Sequence, residues 1–126
     1  MTKDPKKVLL VEDDASVRAT TIEVLQLLGF CVVSAENAPE ALTILESGLP
    51  IDLLFSDVVM PRGISGVELA RRARAARPDL PILLASGHPR DAFGGDEVDR
   101  EFAFLPKPYR LGELATKLRE LLLADA

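Results

Sequence analysis

Four short stretches carry the residues in this chain that could do chemistry. An acid run, Glu12-Asp13-Asp14, follows the apolar Val8-Leu9-Leu10-Val11. Asp57 ends a second, largely apolar run, Ile51-Asp52-Leu53-Leu54-Phe55-Ser56, and leads into Val58-Val59-Met60-Pro61. Ser86 follows Ile82-Leu83-Leu84-Ala85, and Lys107 follows Phe104-Leu105-Pro106. Taken singly, each has a plain structural use: an aspartate caps a helix, a serine makes a turn, a lysine is solvated. Together they would set three or four carboxylates, a hydroxyl and an ammonium around one point. Crowded carboxylates repel, and without help one takes up a proton. A hard divalent cation such as Mg²⁺, which takes oxygen ligands and bridges carboxylates to phosphate, resolves the repulsion. A carboxylate beside such a cation is suited to attack a phosphoryl group and form an aspartyl phosphate. Lys107 would neutralise charge and Ser86 would bond a phosphoryl oxygen, since phosphoryl transfer needs mainly positioning and charge neutralisation.

For this chemistry to occur the four stretches must share one edge of the fold. Apolar runs of four to six residues that are nearly continuous, rather than alternating, read as buried strands of a parallel sheet. Five are present: 6–11, 30–35, the stretch ending at Asp57, 81–85 and 101–105. Helical patterns separate them. Val17, Thr21, Val24, Leu25 and Leu28 form one face of a helix over 15–28, with Asp14 as N-cap and Gly29 as its stop. Asn37 caps a second helix with Pro39 in its first turn and Ala38, Ala41, Leu42 and Leu45 inward; Gly48 and Pro50 end it. A third runs from Gly66 to Ala76 and closes before Pro78; its Arg71, Arg72, Arg74 and Arg77 read as a solvated face. The segment 90–100, interrupted by Gly94-Gly95, encodes a weak or irregular fourth helix. Leu111, Leu114, Ala115, Leu118, Leu121 and Leu122 make the cleanest amphipathic helix, the last. Five βα units predict a parallel sheet with helices on both faces, and all five strands then present their carboxyl ends on one edge, where α/β folds bind ligands.

The chain has 126 residues, a length that suits a single domain spanning 1–126, with 48% hydrophobic and 28% charged residues. A net charge of −5 argues against nucleic acid or an anionic membrane as partner. No apolar run reaches bilayer-spanning length, and the polar N-terminus lacks a signal-peptide core. With one cysteine, Cys31, no internal disulfide can form, and a cytoplasmic location is expected. Cys31 itself reads as a small buried apolar residue.

The four stretches, Val8-Leu9-Leu10-Val11-Glu12-Asp13-Asp14, Asp57 followed by Met60-Pro61, Ser86-Gly87, and Lys107-Pro108, resemble the receiver domain of two-component response regulators over about the whole chain. Ser86-Gly87-His88 and Leu105-Pro106-Lys107-Pro108-Tyr109 are most similar to receivers of hybrid histidine kinases or of single-domain regulators. The resemblance implies a flavodoxin-like (βα)5 sandwich with strand order 2-1-3-4-5. It implies that Asp57 is the phosphoacceptor, Glu12 and Asp13 the acid pair for Mg²⁺, and the Val59 carbonyl a further ligand. Ser86 matches the switch hydroxyl, Phe104 the switch aromatic and Lys107 the phosphate-pairing lysine, with Lys107-Pro108 usually cis. A histidine kinase or histidine phosphotransfer protein is the implied donor, docking over the start of the first helix and Pro108-Tyr109-Arg110. The loop from Met60 to Gly66 is one residue longer than the common pattern.

Three other readings fit parts of the chain. A Mg²⁺-dependent aspartyl phosphatase would carry its nucleophile on the first strand within Asp-x-Asp, whereas Asp13 is followed by Asp14 and Ala15. A flavin- or nucleotide-binding module would need a Gly- or Ser/Thr-rich loop after the first strand. A pseudo-receiver acting only as a docking surface would normally lack Asp13, Asp57 or Lys107, and all three are present.

Overall fold

The computed structural model describes residues 5–60, 64–86 and 102–123. Its strands are β1 (Lys7–Val11), β2 (Cys31–Ala35), β3 (Leu53–Asp57), β4 (Ile82–Ser86) and β5 (Ala103–Pro106). Its helices are α1 (Ala15–Leu27), α2 (Ala38–Glu46), α3 (Gly66–Ala76) and α4 (Leu111–Leu123). The strands form one parallel sheet of order β2-β1-β3-β4-β5. This is the flavodoxin-like arrangement expected from the sequence. The segment expected to hold the weak helix, 90–100, lies outside the described residues, as does the middle of the long loop, 61–63.

Alternate residues of each strand serve opposite faces, and the core divides accordingly. Leu9, Val11, Leu54, Ile82 and Leu84 pack with Ala38, Ala41 and Leu45 of α2 and Val67, Leu69, Ala70 and Ala73 of α3. Val8, Leu10, Leu53, Phe55, Leu83, Ala85 and Leu105 pack with Leu25 of α1 and Leu114 and Leu118 of α4. The near-continuous hydrophobicity of the strands is thus the signature of a sheet covered on both sides.

Local signals set the helix ends. Asp14 accepts from the backbone N–H groups of Ser16 and Val17. Asn37 accepts from Glu40 N–H, and Ser65 from Glu68 N–H. Gly29 and Gly48 take positive φ, 98° and 85°, which lets the chain leave α1 and α2 at once.

Expectations at five residues need correction. Cys31 is exposed, because it opens β2 at the sheet edge, where only β1 lies alongside. Val17 and Leu111 are exposed at 43% and 53%; each sits at the first turn of a helix that rises past the sheet's rim. Arg74 and Arg77 are not simply solvated. The Arg74 guanidinium lies 5.4 Å from the Phe102 ring centre and donates to the Leu80 carbonyl. Arg77 donates to the carbonyls of Leu45 and Leu49, tying the end of α3 to the free end of α2.

Candidate functional site

Register places the chemistry. Val11 pairs with Ser56, so Glu12 leaves β1 beside Asp57, the last residue of β3. Asp57 pairs with Ala85 and Ser86 with Pro106, so Lys107 leaves β5 one residue past the end of β4. The carboxyl ends of four strands thus meet at one rim, as a parallel sheet requires.

At that rim carboxylate oxygens of Glu12, Asp13 and Asp57 all lie within 4.8 Å of one another. Lys107 Nζ sits 3.0 Å from Asp57 Oδ1 and 4.0 Å from Glu12 Oε1. Glu12 is buried and Asp13 exposed. Burial pushes the Glu12 carboxyl above the ordinary carboxylate value. The Asp14 N–H and Lys107 pull it down, while the charge of Asp57 and a hydrogen bond with Asp13 push it further up. For Lys107, burial acts downward, but the hydrogen bond and charge of Asp57, with Glu12 and Tyr109, outweigh it and leave the ammonium held above its usual value. Burial likewise raises the Tyr109 phenol, whose ring centre lies 6.3 Å from that of Phe55.

The donor set fits a hard divalent cation. Three carboxylates face one ammonium, all donors are oxygen, and the buried member already resists carrying its charge. The one cysteine among the described residues lies at the other end of β2.

Of the remaining sequence-predicted residues, Val59 lies two residues past β3 and is 41% exposed. Phe104 is half-buried in β5, packed against the core on the α3 face. Ser86 ends β4 and so belongs to the rim by its backbone. The Lys107-Pro108 peptide is cis, as the resemblance implied.

Two contributors escaped sequence reasoning. Arg18 Nη1 donates to the Glu12 carbonyl at 2.8 Å; on a helix wheel it is only one more polar residue. Gly66 begins α3 against the backbone of Asp57 and Val58 and donates its N–H to the Val58 carbonyl at 2.8 Å. A glycine at a helix start just after the strand that ends on Asp57 was the available signal.

Comparison with known proteins agrees with this geometry. Residues 8–119 match the model of the response regulator receiver domain. The chain is 43% identical over 117 residues to the sensor kinase CckA of Brucella abortus, a match covering 91% of this chain and 12% of that protein. It is 35% identical over 120 residues to the response regulator receiver protein CpdR of the same organism, covering 94% of this chain and 98% of that one. Among solved structures, response regulator protein TrrA from Thermotoga maritima in complex with Mg(2+)-BeF superposes with a TM-score of 0.82 at 32% identity, covering 93% of this chain and 99% of that one. The chain therefore belongs to the response regulator receiver domain family of two-component phosphorelays.

Proposed function

We propose that Asp57 is the phosphoacceptor of this receiver, and that residues 1–126 act as one phosphoaccepting domain in the cytoplasm. The observation that carries the reading is the Asp57 carboxylate held between the Glu12–Asp13 acid pair and the Lys107 ammonium, 3.0 Å away. An oxygen of Asp57 attacks the phosphorus of a phosphohistidine; the new O–P bond forms as the N–P bond breaks, and the imidazole leaves to take a proton. Positioning and charge neutralisation do most of this work. Lys107, already paired to Asp57, brings positive charge to the side where phosphoryl oxygens arrive. Glu12, Asp13 and Asp57 would hold Mg²⁺ with the Val59 carbonyl. When bound, the ion offsets the carboxylate charge and draws phosphoryl oxygens to the site.

The donor is a histidine kinase or a histidine phosphotransfer protein, approaching over the start of α1 and Pro108-Tyr109-Arg110. The exposed Val17 and Leu111 flank that approach. Ser86 and Phe104 carry the switch to a downstream protein partner, not to nucleic acid, which the net charge of −5 disfavours. The chain accepts and slowly loses its phosphoryl group without turning over phosphate esters as an enzyme. Among the described residues no helix is long and apolar enough to cross a membrane.

Incubation with acetyl phosphate and Mg²⁺, followed by intact mass, tests the reading. One phosphoryl adduct is expected, dependent on Mg²⁺ and absent from Asp57→Asn. An undiminished adduct in that variant overturns it.

A further inference from the structure

We infer that Arg18 is the positioning residue of the acid-bearing turn, fixing the Glu12–Asp13 peptide so that both carboxylates face Asp57. The inference rests on the reading that these carboxylates hold Mg²⁺, and adds to it a residue that touches neither the ion nor the phosphoryl group.

The turn between β1 and α1 is three residues long, and its outer members are tied down. The Glu12 N–H donates to the Ala35 carbonyl at 3.1 Å, and the Glu12 carboxylate accepts from the Asp14 N–H at 3.1 Å. Asp14 in turn spends its side chain on the N–H groups of Ser16 and Val17. Asp13, between them, is exposed. The Glu12 carbonyl and the Asp13 N–H belong to one planar peptide and rotate as a unit. Arg18 Nη1 grips that plane at the carbonyl, 2.8 Å away, from one turn inside α1. Arg18 is half-buried, and a hydrogen bond from a charged donor is stronger than a neutral one. The bond therefore sets the direction in which Asp13 leaves the turn. It also makes α1 the part that fixes the spacing of Asp13 from Asp57.

The sign of the effect on Mg²⁺ separates positioning from simple charge. Arg18 is a cation near a cation site, so removing its charge alone tightens Mg²⁺ binding. Loss of a group that orients ligands weakens it, commonly by about 10- to 100-fold. The two effects oppose each other, so weaker binding cannot arise from the lost charge.

The test uses the full chain, free of metal at the start, with Mg²⁺ titrated calorimetrically into the parent, Arg18→Met and Arg18→Lys, and with metal-free melting temperatures measured alongside. Methionine keeps the length of the side chain without a donor; lysine keeps one charged donor. The expected result is binding about tenfold weaker in Arg18→Met, recovery of most of that loss in Arg18→Lys, and unchanged metal-free melting in both. The inference is overturned by parental or tighter binding in Arg18→Met, by a lysine variant as weak as the methionine one, or by weakening that follows a loss of metal-free stability. A parent chain that takes up no Mg²⁺ overturns the underlying reading as well, and does so without any substitution.

Discussion

Replacing Gly66 by alanine should damage this protein, although the position is helical and alanine is the better helix former by about 1 kcal/mol. Gly66 is the first residue of α3. A Cβ there would run into the Asp57 carbonyl oxygen, and would lie 2.8 Å from Val58 Cα and 2.9 Å from the Asp57 carbonyl carbon. Carbon atoms pack at about 3.5–4.0 Å, and all three obstacles are backbone, so no side chain can swing aside. Either α3 retreats, stretching the Gly66 N–H bond to the Val58 carbonyl, or the end of β3 shifts and carries Asp57 with it. Overpacking of this kind costs about 1–3 kcal/mol. With three backbone obstacles the cost falls in the upper part of that range, about 2–3 kcal/mol, so set against the helix gain the net loss is about 1–2 kcal/mol. For a domain of this size that lowers the melting temperature by roughly 4–8 °C. Gly112→Ala is the matched control: Gly112 also lies in a first helical turn, and a Cβ there meets nothing within 4 Å. Thermal unfolding followed by circular dichroism should show Gly66→Ala melting lower and Gly112→Ala melting no lower than the parent. Acetyl phosphate labelling should fall only in Gly66→Ala. If Gly66→Ala melts at or above the parent temperature, the close packing of α3 on the Asp57 strand end is refuted.

Other consequences follow from the same rim. In the metal-free protein the Glu12 carboxyl is raised above 4.5 by burial, so its contribution to stability is full below that pH and is lost as pH rises through the raised value. Glu12→Gln should therefore match the parent in acid and become the more stable of the two towards neutral pH, as read by denaturant unfolding at a series of pH values without Mg²⁺. Lys107 is held above 10.5, burial notwithstanding, by Asp57; its stabilising contribution persists below 10.5 and is lost above it, and Lys107→Met should remove that alkaline loss from the unfolding profile. Asp13→Asn should weaken Mg²⁺ binding in a calorimetric titration and abolish acetyl phosphate labelling. Tyr109→Glu should slow transfer from a phosphorylated histidine protein while leaving acetyl phosphate labelling intact; equal slowing of both would place Tyr109 in the phosphoryl site instead.

What could be read from the sequence was what repeats or ends abruptly. Strand runs such as Val8–Val11 and Leu53–Ser56 are apolar on both faces because both faces are covered, and each stops at a carboxylate of the clustered rim. The helix ends were legible because Asp14, Asn37, Gly29 and Gly48 act on their own neighbours. Contacts between distant segments were not. Cys31 is apolar enough for a core, and only the sheet order shows that its strand is an edge. Val17 and Leu111 follow the helical stripe, but the stripe does not record where the sheet stops beneath it. Arg74 and Arg77 look solvated until Phe102 and the end of α2 are brought to them. Arg18 is the same case at the site: its partner is a backbone carbonyl six residues earlier, and no residue type announces it.

The phosphoacceptor itself can be located by chemical trapping. An acyl phosphate reduced by borohydride leaves an alcohol in place of the carboxylate, so the modified residue can be found by peptide mapping after treatment with acetyl phosphate and Mg²⁺. Reduction at Asp57 alone is predicted, since its carboxylate ends β3 and lies 3.0 Å from Lys107, against 4.0 Å for Glu12. Reduction at Glu12, Asp13 or Asp14 in place of Asp57 would contradict it.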